Sequence, residues 1–191
     1  MAIQRDIQSG GLRWKFLPDV VVEFESHLQD FKEHILPLVR PHWQPESLAT
    51  KVFEEGTTNK LVAIFDKSKG LERSGKEAVL IRINGAGTDS YIDRNSELIS
   101  MAALHKAGMS PPIHFQLKNG LCYGFAPGRQ LDVMELQDER MLKLIVLAMV
   151  RLHLLELPTQ FLKREPVLWE RMDKWLSMVP ERFSDPEKQQ R

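Results

Sequence analysis

Residues 51–65 read KVFEEGTTNKLVAIF, and after a charged spacer residues 78–85 read AVLIRING. Apolar and β-branched residues flank a centre of glycine, hydroxyl and amide side chains, which is the pattern of a β-hairpin. The turn is predicted at Glu55–Asn59 and a third strand at Ala78–Ile83. Gly56 would let backbone N–H groups approach an anion closely, and the polar side chains after it add donors. The turn is therefore either an ordinary hairpin turn or one that faces a phosphate.

Arg82 stands among the apolar residues of the predicted third strand. A guanidinium group is always charged, so in this setting it needs a partner, and a phosphate or a carboxylate suits its geometry. The alternative is a structural salt bridge on one face of the sheet. The sequence pattern alone leaves both interpretations open.

Composition limits the class of protein. The chain has 191 residues, of which 42% are hydrophobic, with a formal charge of zero and a pI near 7.0. This balance supplies a core and argues against nucleic acid or an anionic membrane as the main partner. Cys122, the single cysteine, excludes an internal disulfide and fits a reducing compartment. The start of the chain lacks an apolar signal core, and Met141–Leu157 is too short and too charged to span a bilayer. A soluble, cytoplasmic protein is expected.

The periodicity elsewhere predicts several further elements. Residues 1–18 are expected to form a disordered lead-in. Aspartates are predicted to cap three helices, and the last apolar segment predicts one more. These are Asp19 to about Val39, Asp93 to about Ala107, Asp138 to Leu155, and Val167–Val179. An Asn-Gly pair predicts a second hairpin, Ile113–Leu117 with Leu121–Phe125, and residues 67–76 read as a solvated polar loop.

The order of these elements indicates an α+β fold. About five strands form an antiparallel sheet with a packed helix, as in the N-terminal lobe of a protein kinase, and the first helices of a C-terminal lobe follow. The predicted divisions are a lobe at 19–125, a hinge at 126–131 and partial C-lobe helices at 132–191. The apolar residues of Met141–Leu155 are interpreted as core.

Four segments together resemble the eukaryotic ethanolamine kinases, close relatives of the choline kinases. They are PHWQPESLATKVFEEGTTNKL at 41–61, VLIRINGAGTDSYIDRNSEL at 79–98, LHKAGMSPPIHFQLKNGLCYGF at 104–125 and MVRLH at 149–153. The resemblance implies a kinase-like fold, ATP and Mg²⁺ as cofactors, and phosphorylation of ethanolamine in phosphatidylethanolamine synthesis. It also admits a third possibility, a choline or aminoglycoside kinase.

The resemblance also implies a nucleotide site. The residues that match the turn covering the phosphates are Glu55, Gly56, Thr57, Thr58 and Asn59. Arg82 matches the arginine that contacts the ATP phosphates, and Glu97 matches the helix glutamate that steadies it. The connector whose backbone would bind adenine includes Gly124, Phe125, Ala126 and Pro127. The family usually has an acidic or amide side chain where Gly124 stands, so contact with adenine there must rest on backbone groups.

The catalytic residues of such a kinase are missing from this sequence. Phosphoryl transfer to an alcohol needs a carboxylate base and acidic or amide Mg²⁺ ligands, placed in an Asp-x-x-x-x-Asn loop and a later aspartate. No asparagine of the chain has an aspartate five positions before it. The chain is therefore expected to be a truncated ethanolamine kinase, inactive alone and without catalytic or metal residues. The alternative is a non-catalytic short isoform that binds nucleotide weakly or associates with a full-length kinase.

Other candidate residues have simpler interpretations. His27 and His34 lie on the first predicted helix without further metal ligands, and His153 is expected to be a hydrogen-bonded core histidine. Cys122 is expected to be buried and inert. The face formed by Trp169, Met172 and Trp175 has little chain left to cover it, so an exposed patch, a homodimer or another partner is expected.

Overall fold

The computed structural model describes residues 4–9, 11–23, 26–54, 59–156 and 166–179. Seven strands in these residues form one sheet. They are β1 (Arg5–Ser9), β2 (Leu12–Leu17), β3 (Leu48–Phe53), β4 (Lys60–Asp66), β5 (Val79–Ile83), β6 (Ile113–Leu117) and β7 (Gly120–Gly124). The order across the sheet is β1-β2-β6-β7-β5-β4-β3, and each neighbouring pair is antiparallel except β2 with β6. The two hairpins and the third strand predicted around them are confirmed.

The described residues also contain five α-helical segments beside the sheet. They are α1 (Leu28–Asp30), α2 (Gly70–Ser74), α3 (Arg94–Lys106), α4 (Glu139–His153) and α5 (Leu168–Ser177). A 3₁₀ turn, Pro45–Ser47, directly precedes β3. The spacer at 67–76 is not simply a polar loop, because it contains α2 and starts a 3₁₀ turn at Gly75–Glu77.

The prediction of a disordered lead-in at residues 1–18 is wrong for the part that the structure describes. β1 and β2 form a hairpin, and β2 joins the sheet through parallel pairing of Phe16 with Gln116 and Leu17 with Leu117. Burial of Leu12, Trp14 and Leu17 explains this order, since together they remove large apolar surfaces from water. This hairpin is the reason the sheet has seven strands in these residues rather than about five.

The predicted helix from Asp19 to Val39 is also wrong in its first third. Val22 is extended because its N–H donates to Asn119 Oδ1 at 3.1 Å and its carbonyl accepts from Asn119 Nδ2 at 2.9 Å. Helix begins only at α1 and continues as a π-helical turn, Phe31–Ile35, and a 3₁₀ turn, Leu36–Leu38. The π turn is wider than an α-helical turn and changes which side chains face the sheet. As a result Leu36 is buried and Leu38 is exposed.

The sheet is covered on both faces. The helical segment 28–38 packs on one face with Leu17, Ile64, Val79, Ile81 and Phe115. Helix α3 covers the other face through Leu98, Ile99, Ala102 and Ala103, which meet Leu12, Trp14 and Leu121. As predicted, Asp93 caps α3, accepting hydrogen bonds from the N–H groups of Asn95 and Ser96 at 3.1 Å each. The two layers fix β5 and α3 relative to each other.

The helices after the connector have a different environment. Asp138 caps α4 as predicted, but no residue of α4 or α5 is buried within the described part of the chain. The interpretation of Met141–Leu155 as core is therefore wrong here, and His153 is exposed. The expectation of an exposed Trp169 is confirmed, at 69% exposure. Residues 157–165 and 180–191 lie outside the described residues.

Candidate nucleotide site

The centre of the candidate site is an ion pair between β5 and α3. Arg82 Nη1 lies 2.6 Å from Glu97 Oε1, and Arg82 Nη2 lies 2.8 Å from Glu97 Oε2. Two parallel N–H to carboxylate bonds fix the plane of the guanidinium as well as its position. Both side chains are mostly buried. The pairing expected between these residues is therefore present.

Glu97 remains a carboxylate in spite of its partial burial. Burial alone would raise the pKa of Glu97, but hydrogen bonds and charge from Arg82, and then from Arg94, outweigh it and hold the pKa below its usual value. The Nε atom of Arg82 is buried and has no hydrogen-bond partner in the described residues. A buried donor without a partner is rare, so this N–H invites an acceptor that the described residues do not supply.

Arg94 is a member of the site that the sequence analysis missed. Its Nη1 donates to Glu97 Oε2 at 3.2 Å and its Nε to Asp89 Oδ1 at 3.0 Å, while its Nη2 donates to the buried Thr88 hydroxyl. The spacing of three residues between Arg94 and Glu97 could have indicated this contact, since such residues share one face of a helix.

The predicted phosphate turn is described only at its last residue. Asn59 Oδ1 accepts a hydrogen bond from the Gly85 N–H at 3.4 Å, which brings the end of the β3–β4 turn beside the loop that follows β5. Glu55, Gly56, Thr57 and Thr58 lie outside the described residues. Asn59 thus lies directly before β4, Arg82 is in the neighbouring strand β5, and Glu97 of α3 reaches Arg82 through the ion pair.

The connector after β7 offers few free backbone donors. The N–H of Gly124 donates to Pro112 O at 2.9 Å, and that of Phe125 donates to Ala78 O at 3.1 Å. Pro127 has no N–H group. Within residues 124–127 this leaves the Ala126 N–H as the donor that no described residue engages.

Gly124 lies close to two prolines. A Cβ atom at this position would lie 3.0 Å from Pro112 Cδ and 3.1 Å from Pro111 Cβ. A larger residue here would therefore require the prolines to shift by a few tenths of an ångström.

Gly120 has a stricter requirement, because a Cβ atom there would lie 2.1 Å from the carbonyl oxygen of Arg82. The Asn-Gly pair predicts the hairpin, but the close approach of β7 to the backbone of Arg82 emerges only from the fold.

The described residues offer neither a metal site nor an exposed thiol. No group of three or more His, Cys, Asp or Glu side chains in them could hold a metal ion. Cys122 is buried, as predicted, and burial raises the pKa of its thiol. Burial, with the nearby charges of Arg40 and His105, lowers the pKa of His114 to about 4. None of the helices found there is long and apolar enough to cross a membrane.

Comparisons with known proteins show similarity to one family of kinases. A family model described as "Choline/ethanolamine kinase" matches residues 50–191. Ethanolamine kinase 2 of Mus musculus is 32% identical over 146 residues, covering 76% of this chain and 36% of the relative. Ethanolamine kinase 1 of Mus musculus is 30% identical over 161 residues, covering 84% of this chain and 43% of the relative. The chain thus spans less than half the length of these relatives.

A solved structure, an ethanolamine kinase of Plasmodium vivax, matches with a TM-score of 0.65 and 20% identity. The match covers 89% of this chain and 48% of that one. At this identity the likeness concerns the fold alone. The fold is α+β and protein-kinase-like, as predicted.

Proposed function

This chain belongs to the choline/ethanolamine kinase family, and from that premise we propose that residues 5–125 form the nucleotide-binding lobe of an ethanolamine kinase. The family reaction would be ATP-dependent phosphorylation of the ethanolamine hydroxyl, in phosphatidylethanolamine synthesis. The observation that carries the proposal is the bidentate Arg82–Glu97 pair, held between β5 and α3.

Arg82 is proposed to contact the phosphates of ATP. Its charge is permanent, its orientation is set by Glu97, and its Nε–H is a buried donor without a partner in the described residues. Phosphate oxygens are strong acceptors for such a donor. Asn59 lies at the end of the turn proposed to cover the phosphates, and Glu55, Gly56, Thr57 and Thr58 are the other members of that turn.

The connector is proposed to bind the adenine ring. Gly124, Phe125, Ala126 and Pro127 would contact the ring through the backbone, with the Ala126 N–H as the donor. An amide donor and a nearby carbonyl acceptor would suit the edge of adenine. Residues 126–131 are proposed as the hinge, and a bidentate pair from Arg129 to Glu135 steadies its end.

ATP and Mg²⁺ are the cofactors that the family implies. The donors around Arg82 fit a phosphate group, whereas the described residues do not fit Mg²⁺, because they offer no cluster of carboxylates or histidines. No step is therefore assigned to the metal in this chain. Without an Asp-x-x-x-x-Asn loop, no residue is proposed as the general base, and the chain alone is expected to be inactive.

The relatives' names favour ethanolamine as the substrate. We propose a cytoplasmic location, since the single buried thiol of Cys122 fits a reducing compartment.

A second candidate function is binding rather than catalysis. The exposed apolar residues of α4 and α5, including Trp169 and Trp175, favour a non-catalytic isoform that associates with a full-length kinase or with a second copy. Such an isoform would retain weak nucleotide affinity through Arg82.

The main proposal is tested by ATP titration of the purified chain, followed by NMR, beside a phosphoethanolamine assay with Mg²⁺-ATP. We expect ATP to shift resonances around Arg82 and Ala126, Arg82→Ala to remove this response, and no product to form. Arg73→Ala, at an exposed arginine of α2, is the matched control. Binding that Arg82→Ala leaves intact would contradict the nucleotide site, and product formation would contradict the absence of a base.

Association is tested by co-sedimentation with a full-length ethanolamine kinase. Capture that is lost in the double variant Trp169→Ala, Trp175→Ala supports the binding function. A monomer that ignores the kinase excludes it.

A further inference from the structure

A continuous hydrogen-bonded path runs from the β3–β4 turn to the Arg82–Glu97 pair. Asn59 Oδ1 accepts from the Gly85 N–H, and the Gly85 carbonyl accepts from the Thr88 hydroxyl at 2.8 Å. The same hydroxyl accepts from Arg94, which also donates to Glu97. The path therefore passes through four parts of the chain: the end of the β3–β4 turn, the loop after β5, the start of α3, and β5.

The loop after β5 owes its shape to glycine. Gly87 has a φ of 75°, a left-handed conformation that glycine adopts without strain. The 3₁₀ turn that follows, Thr88–Ser90, buries Thr88 until only 3% of it is exposed. The Gly-Ala-Gly sequence of residues 85–87 thus places the Thr88 hydroxyl within hydrogen-bonding distance of Arg94.

Arg94 is the centre of the path. Each of its three nitrogens has a separate acceptor, on Asp89, Glu97 and Thr88, and its side chain is only 18% exposed. A guanidinium can hold three acceptors in fixed directions because its donors form a rigid planar fork, and an ammonium on a flexible stem cannot. The arrangement is balanced in charge, since two arginines face two carboxylates.

We infer that Arg94 is a positioning residue that links the loop after β5 to the carboxylate that orients the proposed phosphate-binding arginine. Arg94 holds Thr88 and Glu97 at once, and thereby ties the loop against which Asn59 lies to Glu97, the partner of Arg82. This inference rests on the proposed function for its purpose, but the coupling itself is a property of the unliganded chain.

The test follows two NMR signals in variants of the complete chain. One is the pKa of the Glu97 carboxyl, from ¹³C chemical shifts, and the other is hydrogen exchange of the Gly85 amide, which Asn59 protects. Arg94→Gln should raise the Glu97 pKa, since one charged partner is lost, and should speed exchange at Gly85. Arg94→Lys keeps the charge without the fork, so it should leave the Glu97 pKa near the wild-type value and still speed exchange.

Thr88→Val provides a milder variant that keeps the shape of the buried side chain and removes the acceptor. It should speed exchange at Gly85 with little change at Glu97. Arg73→Gln, on the exposed face of α2, should change neither signal. Wild-type exchange at Gly85 in both Arg94→Gln and Thr88→Val, in chains that remain folded by circular dichroism, would overturn the inference.

ATP titration separates this inference from the proposed function. If both hold, Arg94→Gln should weaken ATP binding about fivefold, at the lower end of typical couplings between sites. If Arg82→Ala leaves ATP binding unchanged while Arg94→Gln alters Glu97 and Gly85, the nucleotide site is wrong and the coupling stands. If Arg82→Ala abolishes binding while Arg94→Gln changes neither signal, the site stands and the coupling is wrong.

Discussion

Leu117 in β6 and Leu144 in α4 are the same side chain in two regions of one molecule, yet the first is 2% exposed and the second 62%. Around Leu117 the sheet is covered by the segment 28–38 on one face and by α3 on the other. Around Leu144 the helix has its cap and its backbone hydrogen bonds but no cover from the described residues. The difference separates two properties that sequence patterns tend to merge: whether a segment is helical, and whether something packs on it.

The largest test of this comparison exchanges each leucine for alanine. Leu117→Ala should lower the free energy of unfolding by between about 2 and 5 kcal/mol, because it leaves a cavity in a closed core. Leu144→Ala should change it by less than about 0.5 kcal/mol, because an exposed side chain loses little burial. Urea unfolding, followed by tryptophan fluorescence in a Trp169→Phe, Trp175→Phe background, reports on the buried Trp14 and Trp43. Equal losses would show that α4 is packed in solution.

An added methyl group sharpens the same contrast. Gly120→Ala should cost about 1 to 3 kcal/mol, because its Cβ meets the Arg82 carbonyl oxygen and β7 must move away from β5. Val146→Ile adds one methyl group to an exposed position of α4 and should be nearly neutral. The measurement is the urea midpoint together with the ¹⁵N shift of Arg82 Nε. An unchanged midpoint in Gly120→Ala would contradict the close approach of the two strands.

The two aspartate caps differ in what they support. Asp93→Ala should lower the free energy of unfolding of the sheet region by about 1 kcal/mol, since α3 is part of its core. Asp138→Ala removes an equivalent cap and should reduce helical circular dichroism without moving the fluorescence midpoint. A shift of that midpoint by Asp138→Ala would mean that α4 and the sheet unfold together.

A further expected effect is a pH dependence of the free energy of unfolding, confined to the sheet region. The pKa of His114 is lowered to about 4 by burial and by nearby Arg40 and His105, so the unfolded chain binds the proton more readily between that value and the usual 6.5. The free energy of unfolding should therefore be unaffected by His114 above about pH 6.5, and should fall progressively as the pH falls towards 4. In His114→Gln, the urea midpoint followed by tryptophan fluorescence should depend less on pH over this range. Parallel profiles for the two chains would argue against a buried neutral imidazole.

Local patterns predicted most of the secondary structure. The β3–β4 and β6–β7 hairpins, β5, and the helices capped by Asp93 and Asp138 all depend on signals within a few residues, and all are confirmed. The predictions that failed required distant partners. Val22 is extended because Asn119 holds its backbone, and β2 is ordered because β6 lies beside it. The alternation of apolar and charged residues at 12–15 was a local signal for β2 that could have predicted a strand.

The candidate site shows the same division. The resemblance to a family led to the pairing of Arg82 with Glu97, which the structure contains. Arg94 could have been found from its spacing to Glu97. Its contact with Thr88 and the contact of Asn59 with Gly85 could not, because they depend on a loop and on two strands that meet in space. Glu55, Gly56, Thr57 and Thr58 stay a prediction, as does adenine binding by Ala126.

The sequence by itself determined β3 to β7 and the three longest helices, which family the chain resembles, and that Arg82 needs an anionic partner. These follow from periodicity, capping residues, quoted motifs and the chemistry of a fixed charge. Only the tertiary structure decided which apolar surfaces are covered and which donors are free. Burial and hydrogen-bond satisfaction depend on neighbours that are far apart along the chain, such as Phe16 and Gln116, or Arg82 and Gly120. Leu117 and Leu144 therefore carry the same local information and differ only in what the fold places against them.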